Sequence, residues 1–430
     1  MLNDDPSLPS LGMAWSKRQM REYFNRTALP ALLPGARVAA VGRSITRYSP
    51  GKACVHLFAL SLADETSRLA TVTFGRREWL SSAADGQDHL AFFDDERACL
   101  VELFPADFEM PGLAPATDPA QVAPLLASLC GLAVDARSLR VDLLRYVPHR
   151  RGVLQYQIAT PDGPRRLIGK VYAKAGRAAE VGRKLHALRD QLAGIAPAPA
   201  PAGIDEDWNL TLMEWLPGDS MKQQLRGGLS HEGVRDAVSR AASALAALHT
   251  VRLEAGEPRS IRAEARHVRK RGARIALVAP ALGEQLDALL ERLDALARGL
   301  TWHEPSFTHD GFKPAQVLLD GDQVRIVDYD GSGPGDPALD VGKFMAQLRK
   351  EALLARRDDL RALPAYFLQQ YISCAGAAGV AERARVAECV ALAQIAVQRF
   401  RSKPLAYGRD GDASLPAMLL READDCLARL

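Results

Sequence analysis

The chain contains two copies of one strand-rich pattern, and this repeat limits the folds open to it more than any other feature. Residues 47–52 read RYSPGK and residues 145–150 read RYVPHR, and further matches continue at the same spacing without a gap. Apolar and polar residues partly alternate in both copies, which predicts three strands joined by two turns in each. Alternation is common in strands, so a chance recurrence is the alternative explanation. In this alignment Lys170 of the second copy matches Val72 of the first.

Length and composition exclude several classes of protein. A chain of 430 residues allows two or three domains, and 47% hydrophobic with 25% charged residues is the balance of a globular protein. The formal net charge of +3 is too small to predict nucleic acid or an anionic membrane as a partner. The six cysteines include no CxxC pair, which argues against a zinc or redox site. Because neither a signal peptide nor a long apolar run is recognisable, we predict a cytoplasmic protein.

The order of the predicted elements divides the chain into three parts. Residues 1–132 carry the first strand pattern and end in a proline-containing connector and a short helix, residues 133–217 carry the second pattern, and residues 218–430 are mostly helical. This order indicates an α+β fold with a β-rich small lobe and a helical large lobe, preceded by an α+β N-terminal domain. Helices are predicted at 121–132, 176–192, 231–249, 284–297, 338–350, 353–375, 380–400 and 415–429, and further strands at 210–216, 317–319 and 324–327.

A lysine lies inside the apolar strand LIGKVY of residues 167–172. Burying Lys170 is costly unless its ammonium group has a partner, and we predict that Glu180 of the following helix is that partner. A lysine at a strand edge that faces solvent is the alternative.

The strand that ends in MEWLPG at residues 213–218 leaves the β-rich lobe for the helical part. Its backbone groups therefore lie at a lobe interface, where ligand clefts are frequent. We predict that Met213, Glu214 and Trp215 contact an adenine edge.

Two acidic segments carry the candidate metal and catalytic groups. They read FTHDGFKPAQVL at residues 307–318 and IVDYD at residues 326–330. Asp328 directly follows a β-branched strand, a position typical of a metal-binding carboxylate. The Asp and Gly residues at 320–322 are more typical of a turn.

Taken together, residues 140–400 resemble the aminoglycoside phosphotransferase and choline kinase superfamily, a branch of the protein-kinase-like fold. The resemblance rests on the strand lysine, the MEWLPG hinge, the segment around His309, the VDYD sequence and the GDPALD motif of residues 335–340. It implies a kinase that uses ATP and Mg²⁺ to phosphorylate a hydroxyl of a small molecule, such as an aminoglycoside, a sugar or an amino alcohol.

The resemblance also implies roles for individual residues. Lys170 would contact the α- and β-phosphates of ATP, and Asp328 would bind Mg²⁺. Asp336 and Asp340 would hold the catalytic loop and the helix that follows it. In the basic turn of residues 148–152, Arg150 or Arg151 is predicted to contact phosphate, with Arg150 taken as the candidate site residue, and a solvated basic turn is the alternative.

Two departures from the family motif leave the activity open. The family has its catalytic Asp two residues after the loop His, where this chain has Gly311, and the nearest acid is Asp310. A carboxylate displaced by about 1 Å can slow a reaction about a hundredfold. Gln316 stands where the family has a metal-binding Asn, and its amide oxygen can also bind a metal.

Three functions therefore stay open. If Asp310 is the base, the chain is an active kinase. If it is not, the chain is a pseudokinase that binds ATP or keeps only the fold, or a structural protein without a nucleotide site. Residues 1–132 carry no catalytic motif and resemble a small lobe without its lysine, which makes them a candidate surface for a homodimer or a protein partner.

Overall fold

The computed structural model describes residues 3–84, 90–161, 163–192, 198–227, 230–251, 257–300, 304–355 and 357–430. Its two largest sheets are antiparallel and have five strands each. The first contains β1 (Val38–Ser49), β2 (Ala53–Leu62), β3 (Ser67–Phe74), β4 (Ala91–Asp94) and β5 (Cys99–Leu103). The second contains β6 (Arg140–Val147), β7 (Arg151–Thr160), β8 (Gly163–Tyr172), β9 (Pro201–Asp205) and β10 (Leu210–Glu214).

Helices accompany each sheet in the same order. Before and within the first sheet come α1 (Leu11–Ala14), α2 (Lys17–Tyr23), α3 (Leu29–Leu32) and α4 (Arg77–Ala84). Before and within the second come α5 (Leu113–Thr117), α6 (Pro119–Cys130) and α7 (Arg177–Leu192). The remaining short strands are β11 (Asp219–Ser220), β12 (Ser306–Thr308), β13 (Val317–Asp320), β14 (Gln323–Ile326) and β15 (Gly333–Gly335).

The large lobe is built from α8 (Met221–Gly227), α9 (His231–Leu248), α10 (Ile261–Gly272), α11 (Pro280–Gly299), α12 (Ala338–Ala355), α13 (Leu363–Ala375), α14 (Val380–Ser402), α15 (Pro404–Asp410) and α16 (Leu415–Leu427). Helices α12 and α14 cross closely, because a Cβ atom on Gly342 would lie 2.5 Å from the backbone nitrogen of Glu388. Within the described residues, no helix is long and apolar enough to cross a membrane.

The two large sheets have the same topology, which confirms the predicted repeat. Their strand orders are β1-β2-β3-β5-β4 and β6-β7-β8-β10-β9, and a helix joins the third strand to the fourth in both. The ungapped alignment is wrong for the third strand, however. Val153 pairs with Lys170 in the second sheet, and its equivalent Val55 pairs with Thr73 in the first. Lys170 thus corresponds to Thr73 and not to Val72, because the preceding turn is shorter in the second copy.

A buried carboxylate holds the first hairpin turn of each copy. Asp5 accepts hydrogen bonds from the Tyr48 hydroxyl and the Gly51 N–H, both at 2.8 Å. In the second copy Asp107 accepts from the Tyr146 hydroxyl and the His149 N–H, also at 2.8 Å. Each acid thus fixes a tyrosine and a turn amide that would otherwise be buried without a partner.

The first sheet also binds the turn of the second copy from the side. The Nε2 atom of His149 lies 2.7 Å from the Glu102 carboxylate on β5. Both side chains are almost fully buried. The turn of residues 148–150, which follows β6, is therefore attached to the first copy through His149 and Glu102, and Asp107 fixes it within its own copy.

Two expectations about element bounds change in the structure. The helix predicted at 353–375 is two helices, since α12 ends at Ala355 and α13 begins at Leu363. Pro364 explains the second start, because proline fits only the first turn of a helix. Helices α5 and α6 pack on the second sheet, so we propose a division after β5 rather than near residue 133.

We expect Asp107→Ala to lower the free energy of unfolding by about 2 kcal/mol, because it leaves the Tyr146 hydroxyl and the His149 N–H without their acceptor. The shift of the urea-unfolding midpoint measures the effect. Asp95→Ala is the control: Asp95 is exposed and pairs only with exposed Arg77 at 3.8 Å, so its removal is expected to change stability by less than about 0.5 kcal/mol. Equal midpoints for the two variants would contradict the role of Asp107.

Candidate active site

Side chains from the second sheet and from the large lobe meet in the cleft between them. The ammonium group of Lys170 on β8 lies 2.8 Å from an Asp328 oxygen and 2.6 Å from an Asp330 oxygen. Only 8% of the lysine side chain is exposed. The structure therefore confirms the prediction that Lys170 is buried against a carboxylate, and the ion pairs connect the two lobes.

The predicted partner of Lys170 was wrong. Glu180 on α7 instead pairs with Arg177 at 2.5 Å and lies 4.0 Å from Lys184, and its side chain is 42% exposed. Arg177 and Lys184 lie one helical turn before and after Glu180, so they reach its carboxylate along the surface of the helix. Lys170 is already paired with the two acids of the cleft.

Asp330 lies in the same cluster and was not among the predicted site residues, and Arg151, which the sequence offered beside Arg150, is the arginine of the basic turn that contacts the two acids. One Arg151 nitrogen lies 3.0 Å from Asp328 and 2.8 Å from Asp330. The Tyr172 hydroxyl donates to Asp330 at 3.0 Å. Arg150, which was predicted to contact phosphate, donates its backbone N–H to the Val147 carbonyl at 3.1 Å, and its side chain forms no hydrogen bond or salt bridge within the described residues. The VDYD sequence carried the signal for Asp330, since it places a second acid two residues after Asp328.

Gln316 and Asp328 form a pair of oxygen donors suited to a metal. The Gln316 amide nitrogen donates to Asp328 at 2.8 Å, which fixes the orientation of the amide. Its amide oxygen is buried and has no hydrogen-bond partner. Burial raises the pKa of Asp328, but Lys170 and Arg151 outweigh it and hold that pKa well below its usual range. A charged carboxylate beside an unpaired amide oxygen fits a hard cation such as Mg²⁺.

The loop between β12 and β13, residues 309–316, is called the catalytic loop after the family motif it matches. It is fixed by a buried acid on α12. Asp340 accepts a hydrogen bond from the His309 N–H at 2.5 Å, as the resemblance implied for this residue. The His309 ring reaches the Val327 carbonyl at 3.1 Å with Nε2. Burial lowers the pKa of His309, so the neutral ring donates to that carbonyl. The loop and the strand that ends before Asp328 are thus held in one register.

Asp310 lies on this loop in a left-handed conformation, with φ of 64°. One carboxylate oxygen lies 2.5 Å from the Lys343 ammonium, and the other is paired with Arg259. The Lys343 pKa is raised, because Asp310 and Glu264 outweigh the effect of burial. Both oxygens of Asp310 are therefore neutralised by cations, and Arg259 lies in the loop before α10, where the sequence carried no signal for this contact.

A cavity of about 480 Å³ opens beside Asp310. Its wall includes the catalytic loop, α10, α12 and α14. The cavity lies on the large-lobe side of the loop, so a ligand in it would face Asp310 and Gly311.

The predicted hinge strand pairs with β8, and the chain after it, at β11, pairs with β13 of the large lobe. Met213 is buried and pairs with Ile168 across the sheet. The Glu214 carboxylate bonds Arg165 at 3.2 Å, and the Trp215 ring lies under the Arg166 guanidinium. These contacts hold the strand in place, and adenine binding by residues 213–215 stays a prediction.

Known structures with a similar fold include two kinase-like proteins. The chain is similar in structure to a choline kinase from Cryptosporidium parvum Iowa II, with 12% identity, 73% of this chain and 96% of that chain covered, and a TM-score of 0.53. It is also similar to a protein of Ralstonia eutropha JMP134 named as a candidate aminoglycoside phosphotransferase, with 17% identity, 71% and 97% covered, and a TM-score of 0.51. At these identities the likeness shows a common fold. No curated protein matches the sequence.

Residues 145–388 match a family described as "Phosphotransferase enzyme family". The match covers more than half of the chain and includes the strand lysine, the catalytic loop and the acids of the cleft. The chain therefore belongs to the phosphotransferase enzyme family and has its protein-kinase-like fold.

Proposed function

We propose that the chain binds ATP with Mg²⁺ in the cleft and transfers the γ-phosphate to a hydroxyl of a small molecule held in the cavity beside Asp310. One observation carries the proposal, namely the buried Lys170 opposite Asp328 with the unpaired amide oxygen of Gln316 beside it. A nucleotide site of this kind needs a cation for phosphates and oxygen ligands for a metal, and these three residues provide them.

In this proposal the oxygen-bearing side chains of the cleft bind the metal, and its cations bind phosphate. Asp328 and Gln316 would hold Mg²⁺, which neutralises charge on the transferred phosphate when bound. Lys170 and Arg151 are the cations nearest to these ligands, and they now neutralise Asp328 and Asp330. We propose that nucleotide binding exchanges part of these ion pairs for contacts with phosphate, which Arg and Lys both bind well.

Asp310 is the carboxylate that would orient the hydroxyl. It lines the cavity, and the loop that carries it is anchored by Asp340. Its two oxygens are paired with Lys343 and Arg259. Phosphoryl transfer through a loose transition state depends more on an oriented acceptor than on an early proton transfer, so a carboxylate held in this way can still serve.

A second candidate is a nucleotide-binding pseudokinase. The pairing of both Asp310 oxygens with cations favours it, as does Gly311 at the position where the family carries its acid. A Cβ atom on Gly311 would lie 3.3 Å from the Gln316 amide, so an acid placed there would point toward the metal ligands. The two candidates agree on nucleotide binding and differ only in transfer.

We expect Lys170→Ala to weaken ATP binding at least about tenfold, because it removes a charge-assisted contact with phosphate. Asp328→Asn is expected to abolish only the part of the affinity that depends on Mg²⁺. Calorimetric titration of ATP with and without Mg²⁺ measures both effects. Lys174→Ala, which removes an exposed cation at the end of β8, is the control and should bind ATP like the unchanged protein. If that protein binds no ATP, both candidates fail.

We expect Asp310→Asn to slow Mg²⁺-dependent phosphate release from ATP about a hundredfold or more, the usual range for a catalytic acid–base group, while ATP binding is retained. Asp322→Asn, in the exposed turn between β13 and β14, is the control and should keep the full rate. A double variant, Asp310→Gly with Gly311→Asp, restores the family order. Turnover by this double variant alone would show that the natural chain is a pseudokinase.

A further inference from the structure

Four arginines gather where the first copy of the small lobe, the turn of residues 148–150 and the large lobe meet. Arg47 comes from β1, Arg150 from the turn, Arg271 from α10 and Arg401 from α14. Among the described residues, none of the four forms a salt bridge with a carboxylate within 4 Å. Surface arginines are common, but a cluster from four separate elements is a concentrated positive charge that the fold itself leaves uncompensated.

The cluster is held by neutral groups. Arg47 donates to the Pro148 carbonyl, and Arg401 donates to the Tyr48 carbonyl at 2.9 Å. Within the described part of the chain, the Arg271 guanidinium has a hydrogen-bond contact only with His267 on the same helix, at 3.4 Å, and the Arg150 guanidinium has none. Backbone carbonyls fix Arg47 and Arg401 without cancelling their charge, so two fixed and two free guanidinium groups remain available for an anion.

Burial and mutual repulsion lower the pKa of two of these arginines. Burial, and then the charges of Arg150, Arg401 and Arg271, lower the pKa of Arg47 to about 10, whereas Asp107 acts in the opposite direction. Burial, followed by Arg271, likewise lowers the pKa of Arg150. An anion placed among them would remove this repulsion, which is the usual reason for arginines to be collected at one site.

The cluster adjoins the cavity beside Asp310 through Arg271, the member of the cluster that lines the cavity wall. His267 and Arg271 on α10 line the cavity, as do Gln394 and Gln398 on α14, and Arg401 follows Gln398 at a helical spacing that keeps it on the same face. The acids of the cavity lie at the other end. Glu264 is 4.0 Å from Lys343, and Asp310 is paired with the same lysine. The cavity is therefore polarised, with free cations at one end and the catalytic loop at the other.

We propose that this cavity binds a small hydroxyl-bearing molecule that also carries a phosphate monoester, with the phosphate at the arginine cluster and the hydroxyl toward Asp310. The orientation of the hydroxyl rests on the proposed phosphotransferase function, whereas the phosphate site does not. A phosphate monoester matches the cluster because it carries close to two negative charges and several acceptor oxygens, which arginine binds in pairs. The first copy of the small lobe thereby gains a role, since it supplies Arg47 and the carbonyl that fixes Arg401.

The test uses the full chain in a buffer of low ionic strength without phosphate or sulfate. Glycerol 3-phosphate and inorganic phosphate are the probes, and glycerol is the matched molecule without a phosphate group. Binding is measured by calorimetry in the absence of nucleotide, so the result does not depend on phosphate transfer. We expect both phosphates to bind, glycerol not to bind, and the affinity to fall as salt is raised.

Two arginine variants on α10 locate the site. We expect Arg271→Gln to weaken the binding of both phosphates about tenfold, because it removes a charge-assisted contact with the anion. Arg266→Gln removes an arginine of the same helix that is exposed and outside the cavity, and it should bind the phosphates like the unchanged protein. Thermal unfolding of both variants checks that each is folded.

The Lys170→Ala variant distinguishes this site from the nucleotide cleft. We expect it to bind ATP at least about tenfold more weakly and to keep its affinity for glycerol 3-phosphate. The proposal is overturned if the unchanged protein binds neither phosphate at millimolar concentrations, or if Arg271→Gln and Arg266→Gln bind them equally. It is also overturned if Lys170→Ala loses the phosphates together with ATP, because the anions then occupy the nucleotide site. Failure of phosphate transfer with intact anion binding would reject only the proposed function.

Discussion

The contact of Lys170 with Asp328 and Asp330 joins the two halves of the kinase-like fold, and the rest of the cleft is arranged around it. A buried ammonium group must be paired, and its partners here come from the opposite lobe rather than from its own. Arg151 binds the same two acids from the neighbouring strand, so two cations and two carboxylates balance one another. The arrangement holds the lobes together and keeps Asp328 charged.

The need to pair buried charges also explains how the loop that carries His309 and Asp310 is held in place. Asp340 is buried and fixes the His309 backbone, while His249 lies 3.4 Å from it and helps hold its pKa at about 2 although burial opposes this. These contacts fix the loop on which Asp310 has its left-handed conformation, with φ of 64°. Where the family has an acid, this chain has Gly311, and the displaced acid is stabilised by Lys343 and Arg259. Asp340 fixes the loop as the family motif implies, but the carboxylate of the loop lies at Asp310 and not at position 311.

Local patterns in the sequence predicted the strands, the repeat and the lysine of the cleft, because alternation and motif spacing are recorded in neighbouring residues. They also placed Asp328 and Gln316 correctly relative to each other. The partner of Lys170 was missed because the sequence shows only that Glu180 follows on the next helix, whereas Arg177 and Lys184 on that helix already bind it. Arg259 and the arginine cluster could not be predicted, since each depends on elements that are distant in the chain and meet only through tertiary packing.

The attachment of His149 to Glu102 has a consequence for how the cleft can open. The turn of residues 148–150 leads directly into Arg151, which contacts the two acids of the cleft. This turn is bonded to β5 and to Asp107, and the end of β1 is bonded to α14 through Arg401. Moving the turn away from the cleft would therefore also strain its bond to the first sheet, which is itself held to the large lobe at α14, far along the chain from the cleft.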